Sequence, residues 1–415
     1  MNVKSPGSGG LSGAGGVAMP PPNLPRLASL PPLSLYVHVP WCLKKCPYCD
    51  FNSHELRGEL PETAYVDALL ADLERALPGV WGRRLSSVFI GGGTPSLLSP
   101  IALDRLLSGV RAALPLSPYA EVTLEANPGT FEADKFRAFR ELGITRLSIG
   151  VQSFNPAHLA ALGRVHSADE ARRAIEFAQR TFDNFNLDLM YALPSQTFEE
   201  AILDLETALG FAPPHLSAYH LTLEPNTLFH RYPPALPGHD LAADMQDAIE
   251  DRLAAAGYRH YETSAFGKPG REARHNVNYW EFGDYLGIGA GAHSKLSFPD
   301  RIIREMRQKQ PRAYMEQAAS GSHISERKEV PGGERAFEFM MNALRLVDGF
   351  AVPLFAERTG LPLAAAVREL DEAERRGLVV RDHLRIRPTF KGQRFLNELL
   401  QLFIPDPGRR ASKRN

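Results

Sequence analysis

The sequence predicts an α/β fold: a partial (β/α)6 barrel of the TIM type, closed or nearly closed, with a C-terminal winged-helix-like domain. Three observations carry this. Six short β-rich runs alternate with five helical runs between residues 33 and 221. The strand runs are apolar enough to read as continuous, which suits a parallel sheet covered by helices. The unusual residues fall just after strands, where barrel enzymes gather their sites. A doubly wound sheet is the competing arrangement, since periodicity reveals neither strand order nor closure.

Taken in order, residues 1–32 hold six Gly and seven Pro and only Lys4 and Arg26 as charges. Such a segment buries too little apolar surface to offset its ordering entropy, so a disordered tail is expected, with Met19 a conceivable alternative start. The barrel core is assigned to 33–265. Its strands are LSLYVHV (33–39), SSVFIGG (86–92), EVTLEA (121–126), RLSIGV (146–151), NLDLMY (186–191) and LSAYHL (216–221). The helices between them are ETAYVDALLADLERAL, IALDRLLSGVRAAL, ADKFRAFRELG, ADEARRAIEFAQR and FEEAILDLETALG. Residues 266–330 form a barrel-edge segment containing HNVNYW (275–280) and the glycine-rich GIGAGAHS (287–294), which is expected to turn toward the pocket. Residues 331–404 read as helix, helix and two short strands, the winged-helix pattern, and 405–415 as a basic tail.

Bulk properties exclude several classes. The 47 basic residues against 48 acidic ones leave no electrostatic footprint for nucleic acid. Within the winged-helix-like segment, Glu369, Asp371, Glu372 and Glu374 offset Arg368, Arg375 and Arg376 on the recognition-type helix. That surface suits a lid or a docking partner better than phosphates. No apolar run reaches the length of a membrane span, and no secretion or transit signal opens the chain. With three unpaired thiols, a reducing cytoplasm is the expected compartment.

All three cysteines lie in WCLKKCPYCDF, as Cys42, Cys46 and Cys49, directly after the first strand. The spacing C-x3-C-x2-C lets three thiolates converge on one soft metal centre, as in iron–sulfur proteins. A zinc site would need His38 or His54 as fourth ligand, and a redox pair would use only Cys46 and Cys49. A four-iron cluster with three protein ligands leaves one iron open to an exchangeable molecule. GGGTP (91–95), EANPG (125–129), GVQSF (150–154) and Asp188 follow or end the next strands on the same edge, so one pocket is expected.

C-x3-C-x-Y-C after a first strand, followed by GGGTP, resembles the radical S-adenosylmethionine (SAM) superfamily. The resemblance implies a barrel of the radical SAM kind, a [4Fe-4S] cluster held by Cys42, Cys46 and Cys49, and SAM on the open iron. In that superfamily the reduced cluster cleaves SAM to a 5′-deoxyadenosyl radical. YVHVPWCLKKCPYCDFNSH, FIGGGTPSLL, EANPG, GVQSF and DLMYALPSQT further resemble the oxygen-independent coproporphyrinogen III oxidase group, over residues 33 to about 400. That likeness implies SAM-site roles for Tyr36, Tyr48, Gly92, Gly93, Thr94 and Glu125. It also associates Gln152, Arg164 and Asp188 with a second SAM, although from the residues alone Arg164 and Asp188 read as an ordinary ion pair at the rim.

Two departures point away from the oxidase. Its fourth cysteine is replaced by Phe51, and its ordered N-terminal extension has no counterpart here. HNVNYW instead resembles the H-N-x-x-Y-W signature of the heme chaperone branch, HemW. The resemblance implies heme as cargo, client hemoproteins and an electron donor as partners, no nucleic acid, and weak membrane-surface association through partners. Heme contacts are expected from His275, Asn276, Tyr279 and Trp280, against the plainer reading of HNVNYW as a buried polar–aromatic turn. Radical decarboxylation of coproporphyrinogen III, and another radical SAM reaction on heme, stay open as alternatives.

Overall fold

The computed structural model describes residues 26–130 and 132–405. Its centre is a twelve-stranded sheet built on six consecutive parallel strands. These are β1 (Leu33–Val39), β2 (Leu85–Gly92), β3 (Leu116–Ala126), β4 (Arg146–Gln152), β5 (Phe185–Tyr191) and β6 (His215–His220). They pair in sequence order, β1 to β6, with no reversal point. A doubly wound sheet reverses its strand order at a switch point, so that alternative is removed. Crossover helices cover the outer face. Two of them, Ala168–Thr181 and Phe198–Gly210, begin with capping boxes, Ser167 with Glu170 and Thr197 with Glu200.

The barrel is partial. β7 (Arg259–Glu262) and β8 (Ala265–Gly267) extend it antiparallel beyond β6. On the other side β9 (Asp284–Ile288) runs parallel to β1. It is followed by antiparallel β10 (His293–Ser297), β11 (Ile302–Arg307) and β12 (Ile324–Glu329). β12 and β7 are the sheet's two ends. The segment expected as a barrel edge thus supplies four strands that its sequence hides. Asp284 and Lys295 sit inside their short runs, and ISERKE is almost wholly polar.

The strands also differ from the continuous apolar runs expected. Leu33, Leu35, Val37 and Val39 are buried in the main core, while Ser34, Tyr36 and His38 occupy the opposite face. That inward face is polar on neighbouring strands too. Ser34 meets Ser87 at 2.7 Å, and Asn186 Nδ2 donates to Ser148 Oγ at 2.8 Å and Asp188 Oδ1 at 2.7 Å. His215 Nδ1 lies 2.6 Å from Asn186 Oδ1. The barrel interior is therefore a hydrogen-bonded lining instead of a second apolar core.

The helix Arg274–Trp280 closes the end where the strands begin. Asn278 is buried and donates to Ser34 Oγ at 2.9 Å and to the Asp284 carbonyl at 3.0 Å. Asp284 is itself held by Lys295 and Arg83. Farther along, residues 332–401 order as helices with a three-stranded sheet of Phe350–Ala351, Arg385–Pro388 and Val379–Arg381 around their own apolar cluster. Arg394 reaches back to Asp247 and Glu250 of the barrel's last helix. In the helix Val367–Arg375, Glu372 pairs with Arg375 and Arg376, while Asp371 and Glu374 engage Arg381.

Residues 1–25 and 406–415, with Met19 and most of the basic tail, lie outside the described residues. Residues 26–32, expected within the disordered tail, are a correction. Leu27 is buried, and its amide donates to the Pro299 carbonyl at 2.9 Å.

A second set of deeply buried charges lies between the helix Glu62–Val80 and β11. Asp72 accepts from Arg307 at 3.2 Å, His323 at 2.9 Å, Tyr314 at 2.9 Å and the Gly289 amide at 3.3 Å. Removing one partner of such a group leaves the others charged and dry. Asp72→Ala is expected to lower unfolding stability by about 3–5 kcal/mol, read from the urea midpoint. It should also speed hydrogen exchange at the Gly289 amide, and an unchanged midpoint would show the network to be energetically idle.

Candidate functional site

The three cysteines ride on one closed loop. Trp41–Cys42 pairs with His54–Glu55, so residues 41–55 leave β1 and return to the same place. The loop is clasped by the start of the next βα connection: Gly93 N donates to the Val39 carbonyl and Thr94 N to the Trp41 carbonyl, both at 2.7 Å. A side chain at Gly93 would put Cβ 2.6 Å from the Trp41 oxygen, which is why glycine stands there. On the loop's other flank Asn52 Nδ2 donates to the carbonyls of Ala290 (2.9 Å) and Lys309 (2.8 Å).

Within this frame all three thiols are free and half-buried, and they line one cavity of about 360 Å³. Cys49 Sγ is 3.7 Å from Ser53 Oγ, and Arg164 Nη1 is 3.7 Å from Cys46 Sγ. Burial pushes the Cys42 and Cys49 thiols up, opposed by hydrogen bonds from Thr94 and Ser53 respectively. No three Cys, His, Asp or Glu side chains among the described residues stand close enough to hold one ion. Thiolates serving separate irons of one cluster need no such approach.

The zinc alternative also loses its histidines. His38 Nε2 must donate to the Asn52 carbonyl at 2.9 Å, because a carbonyl only accepts, and Nδ1 then accepts from Tyr36 OH at 2.7 Å. Both nitrogens are used, and burial holds its pKa at about 4. His54 is not among the cavity's lining residues.

Tyr48, Gly92, Gly93, Thr94, Glu125, Gln152, Arg164 and Asp188 all line the cavity with the cysteines. Glu125 accepts from the Gly92 amide at 2.9 Å. Burial first, and then the charge of Asp188, raise its pKa to about 8. Asp188, also raised by burial, is held by Asn186 and by Ser148 Oγ at 3.0 Å. Arg164 instead donates to the Gly150 carbonyl at 2.7 Å and faces Cys46. The rim ion pair read for Arg164 and Asp188 is therefore not formed. Gln152 has φ +68°, an uncommon backbone state for a residue with a side chain, where the β4–β5 register shifts.

Several expectations need correction. Tyr36 does not line the cavity. Its ring stacks on Phe89 with centroids 5.9 Å apart, and its hydroxyl is held by His38. GIGAGAHS does not face the cavity either; it backs the cysteine loop through the Ala290 carbonyl. The expected heme residues share one short helix, Arg274–Trp280. His275 points into the barrel, stacked on Phe89 with centroids 4.2 Å apart and bonded through Nδ1 to Glu121 at 3.1 Å. Asn276 is half-buried on the same helix, and Trp280 lies edge-on to Tyr279, whose exposure is 37%. On this helix His275 and Asn278 turn toward the barrel, and only Asn278 is fully buried. Sequence reasoning also missed Ser148 and the run Tyr219–Thr222 at the end of β6, which line the cavity without any Gly or Pro motif to mark them.

Comparison with known proteins follows the same lines. The model of the radical SAM superfamily matches residues 36–208, and that of the HemN C-terminal domain matches 330–395. The chain is 49% identical over 384 residues to the heme chaperone HemW of Escherichia coli K12, covering 92% of this chain and 100% of that one. It is 46% identical over 386 residues to that of Haemophilus influenzae, with the same coverage, and 32% over 379 residues to that of Bacillus subtilis, covering 89% and 99%. Among solved structures, the radical SAM coproporphyrinogen III oxidase HemN of Escherichia coli superposes with a TM-score of 0.77 at 25% identity, covering 90% of each chain.

The raised Glu125 carboxyl gives a testable sign. A carboxyl raised from 4.5 to about 8 holds its proton in the fold after the unfolded chain has lost it. Its contribution to stability is present below 4.5 and is lost as pH rises through about 8. Glu125→Gln, which stays neutral, is expected to flatten the fall in stability across that window in ligand-free protein. Denaturant titrations at several pH values would show it, and identical slopes for the two proteins would place the carboxyl's titration elsewhere.

Proposed function

The chain belongs to the HemW family of heme chaperones within the radical SAM superfamily, and from that premise we propose that it binds heme and passes it to client hemoproteins while holding a [4Fe-4S] cluster and SAM. The full-length likeness to HemW proteins carries this reading. Phe51 in place of the oxidase's fourth cysteine supports it.

The residues present fit the cofactors. Cys42, Cys46 and Cys49 offer three thiolates from one rigid loop and leave the cavity side of a cluster open. When bound, the cluster supplies an electron to the SAM sulfonium. The bare Gly92–Gly93 backbone lets a ligand approach β2 closely. Glu125, protonated near neutrality when the site is free, gives up its proton to accept a hydrogen bond from a cationic ligand group. Arg164 supplies a buried positive charge beside Cys46, suited to the anionic cluster or to a carboxylate. Gln152 and Asp188 complete the polar wall.

The finer partners belong to the same proposal. An external one-electron donor reduces the cluster, and the protein works in the cytoplasm, meeting membrane-bound clients through weak surface contacts. No helix among the described residues is long and apolar enough to cross a membrane. The second reading, coproporphyrinogen III decarboxylation, is favoured only by the likeness to HemN.

Two outcomes test this. Cys42→Ala, Cys46→Ala and Cys49→Ala should each abolish assembly of a four-iron cluster on anaerobic reconstitution, because the sequence holds no fourth cysteine to replace the lost thiolate. A full iron content and charge-transfer absorbance in any one of them would reject the site. Reduced, cluster-loaded protein supplied with SAM should bind hemin yet form no protoporphyrinogen IX from coproporphyrinogen III. Sustained turnover would make it an oxidase.

A further inference from the structure

Resting on the cluster part of the proposed function, we infer that Arg164 sets the cluster's reduction potential: it holds a fixed cation against the Cys46 sulfur and so favours uptake of the electron. The three thiols differ in what surrounds them. Cys42 and Cys49 each meet a neutral hydroxyl, that of Thr94 and of Ser53 respectively. Lys45 also reaches Cys49 by charge, but its ammonium is bonded to the carbonyls of Phe51 at 3.2 Å and Ser53 at 3.1 Å. Cys46 alone faces a guanidinium, with Arg164 Nη1 3.7 Å from its sulfur. The second terminal nitrogen, Nη2, donates to the Gly150 carbonyl at 2.7 Å, so the planar group is held at both tips. Its Nε is shut away from solvent without an acceptor among the described residues. No carboxylate among them pairs with Arg164, and its charge is left for the sulfur and for Tyr48.

The backbone is shaped to put the guanidinium there. Arg164 follows Gly163, whose φ of +67° lies in the left-handed region that glycine enters without strain. A Cβ on Gly163 would stand 2.9 Å from Pro47 Cδ, on the residue next to Cys46. The bare glycine thus lets the Arg164 loop lie directly against the cysteine loop. Gly150 does the same at the other tip, where a Cβ would come within 3.3 Å of Nη2. Two residues on, His166 Nε2 lies 3.1 Å from the Val151 carbonyl, and burial first, then the charge of Arg164, hold its pKa at about 4. That imidazole is neutral and adds no second cation. Hydrogen bonds to ligand sulfurs and the net charge around a cluster are among the terms that set its potential. An N–H···S bond draws electron density off the sulfur, and a nearby cation stabilises the added electron, so both act upward. Arginine keeps its proton throughout. The external donor's electron is therefore gained by the cluster with no proton moving, and the effect is present before SAM arrives.

Potentiometric titration of the reconstituted full chain without SAM, followed by the EPR signal of the reduced cluster, tests this. Arg164→Gln is expected to make reduction roughly tenfold less favourable, a fall of about 59 mV for one electron. Arg164→Lys, which keeps the charge and loses the planar donor, should fall between the two proteins. An unchanged potential in cluster-loaded Arg164→Gln would overturn the inference, and weakened SAM binding in that same variant would assign Arg164 to the SAM carboxylate alone. A second measurement needs no variant. Pulsed EPR of wild-type protein carrying 15N-labelled arginine should detect a nitrogen coupled to the reduced cluster. Absence of that coupling would overturn the inference even if Arg164→Gln failed to assemble a cluster. Failure of the wild-type chain to assemble one would instead defeat the cluster reading itself.

Discussion

Everything at the site depends on how one short loop is held. Three thiols must converge while a fourth direction stays open, so the backbone carrying them cannot be secured by ligands on every side. The fold secures it from both flanks with main-chain hydrogen bonds. On one side the amides of Gly93 and Thr94 bond the carbonyls of Val39 and Trp41. On the other, Asn52 spans the carbonyls of Ala290 and Lys309 while its own carbonyl accepts from His38. Gly291 must lack a side chain for this, since a Cβ there would stand 2.4 Å from Asn52 Nδ2. The strands after the barrel therefore serve the loop before it. Tyr65, which donates to the His38 carbonyl and accepts from Ala290 N, joins the two flanks, and Asp72 with Arg307 stands behind them. Buried charge is a costly way to pack a core. Here it fixes a glycine-rich segment that has almost no side chains of its own with which to pack.

The second constraint is the polar lining of the barrel. A partial barrel exposes its interior at the cavity end, and a site for a charged cofactor requires acceptors there. Alternation then places polar residues at most inward positions, including those far below the ligand, with Phe89 an apolar exception. The consequence is a stack of buried ionisable groups that must satisfy one another. Glu121 is held at about 2 against its burial by His275 and Arg146, while Glu125 above it is driven the other way, to about 8. Two carboxyls on one strand, four residues apart, thus have opposite protonation preferences because one meets cations and the other meets Asp188. The lower one is structural. The upper one faces the cavity and is free to respond to what binds there.

Much of this was legible from the sequence, and the reasons for the rest are physical. Strand–helix alternation gave the six parallel strands, the largest miss being the start of β3 at Leu116 where residue 121 was expected, because an amphipathic helix separates each pair. The motifs after β1, β2, β3 and β4 converged as expected, since parallel strands bring their carboxyl ends to one edge. What periodicity could not show was the edge built by β9 to β12, whose short polar strands are stabilised by buried pairs such as Asp284 with Lys295, contacts made across the sheet. Nor could it show that Tyr219 and His220 line the cavity. Their strand ends without glycine or proline, so the only sign is position, two and three residues past Ser217.

HNVNYW shows most clearly where a motif and its role part company. Its residue types, an imidazole beside two aromatics, suit heme, and nothing in the local sequence opposes that use. The fold also gives two of its residues structural work through spacing. On a helix only seven residues long, His275 and Asn278 are three apart and share one face, and that face is the one laid against the strand starts. One meets Glu121 and Phe89; the other meets Ser34 and the Asp284 carbonyl. A partial barrel with a polar interior needs such a stopper, because an apolar helix would strand the inward hydrogen-bonding groups of several strands. The same aromatic–imidazole chemistry that suits a porphyrin thus also satisfies the barrel floor, with His275 on Glu121 and Phe89 and Asn278 on Ser34.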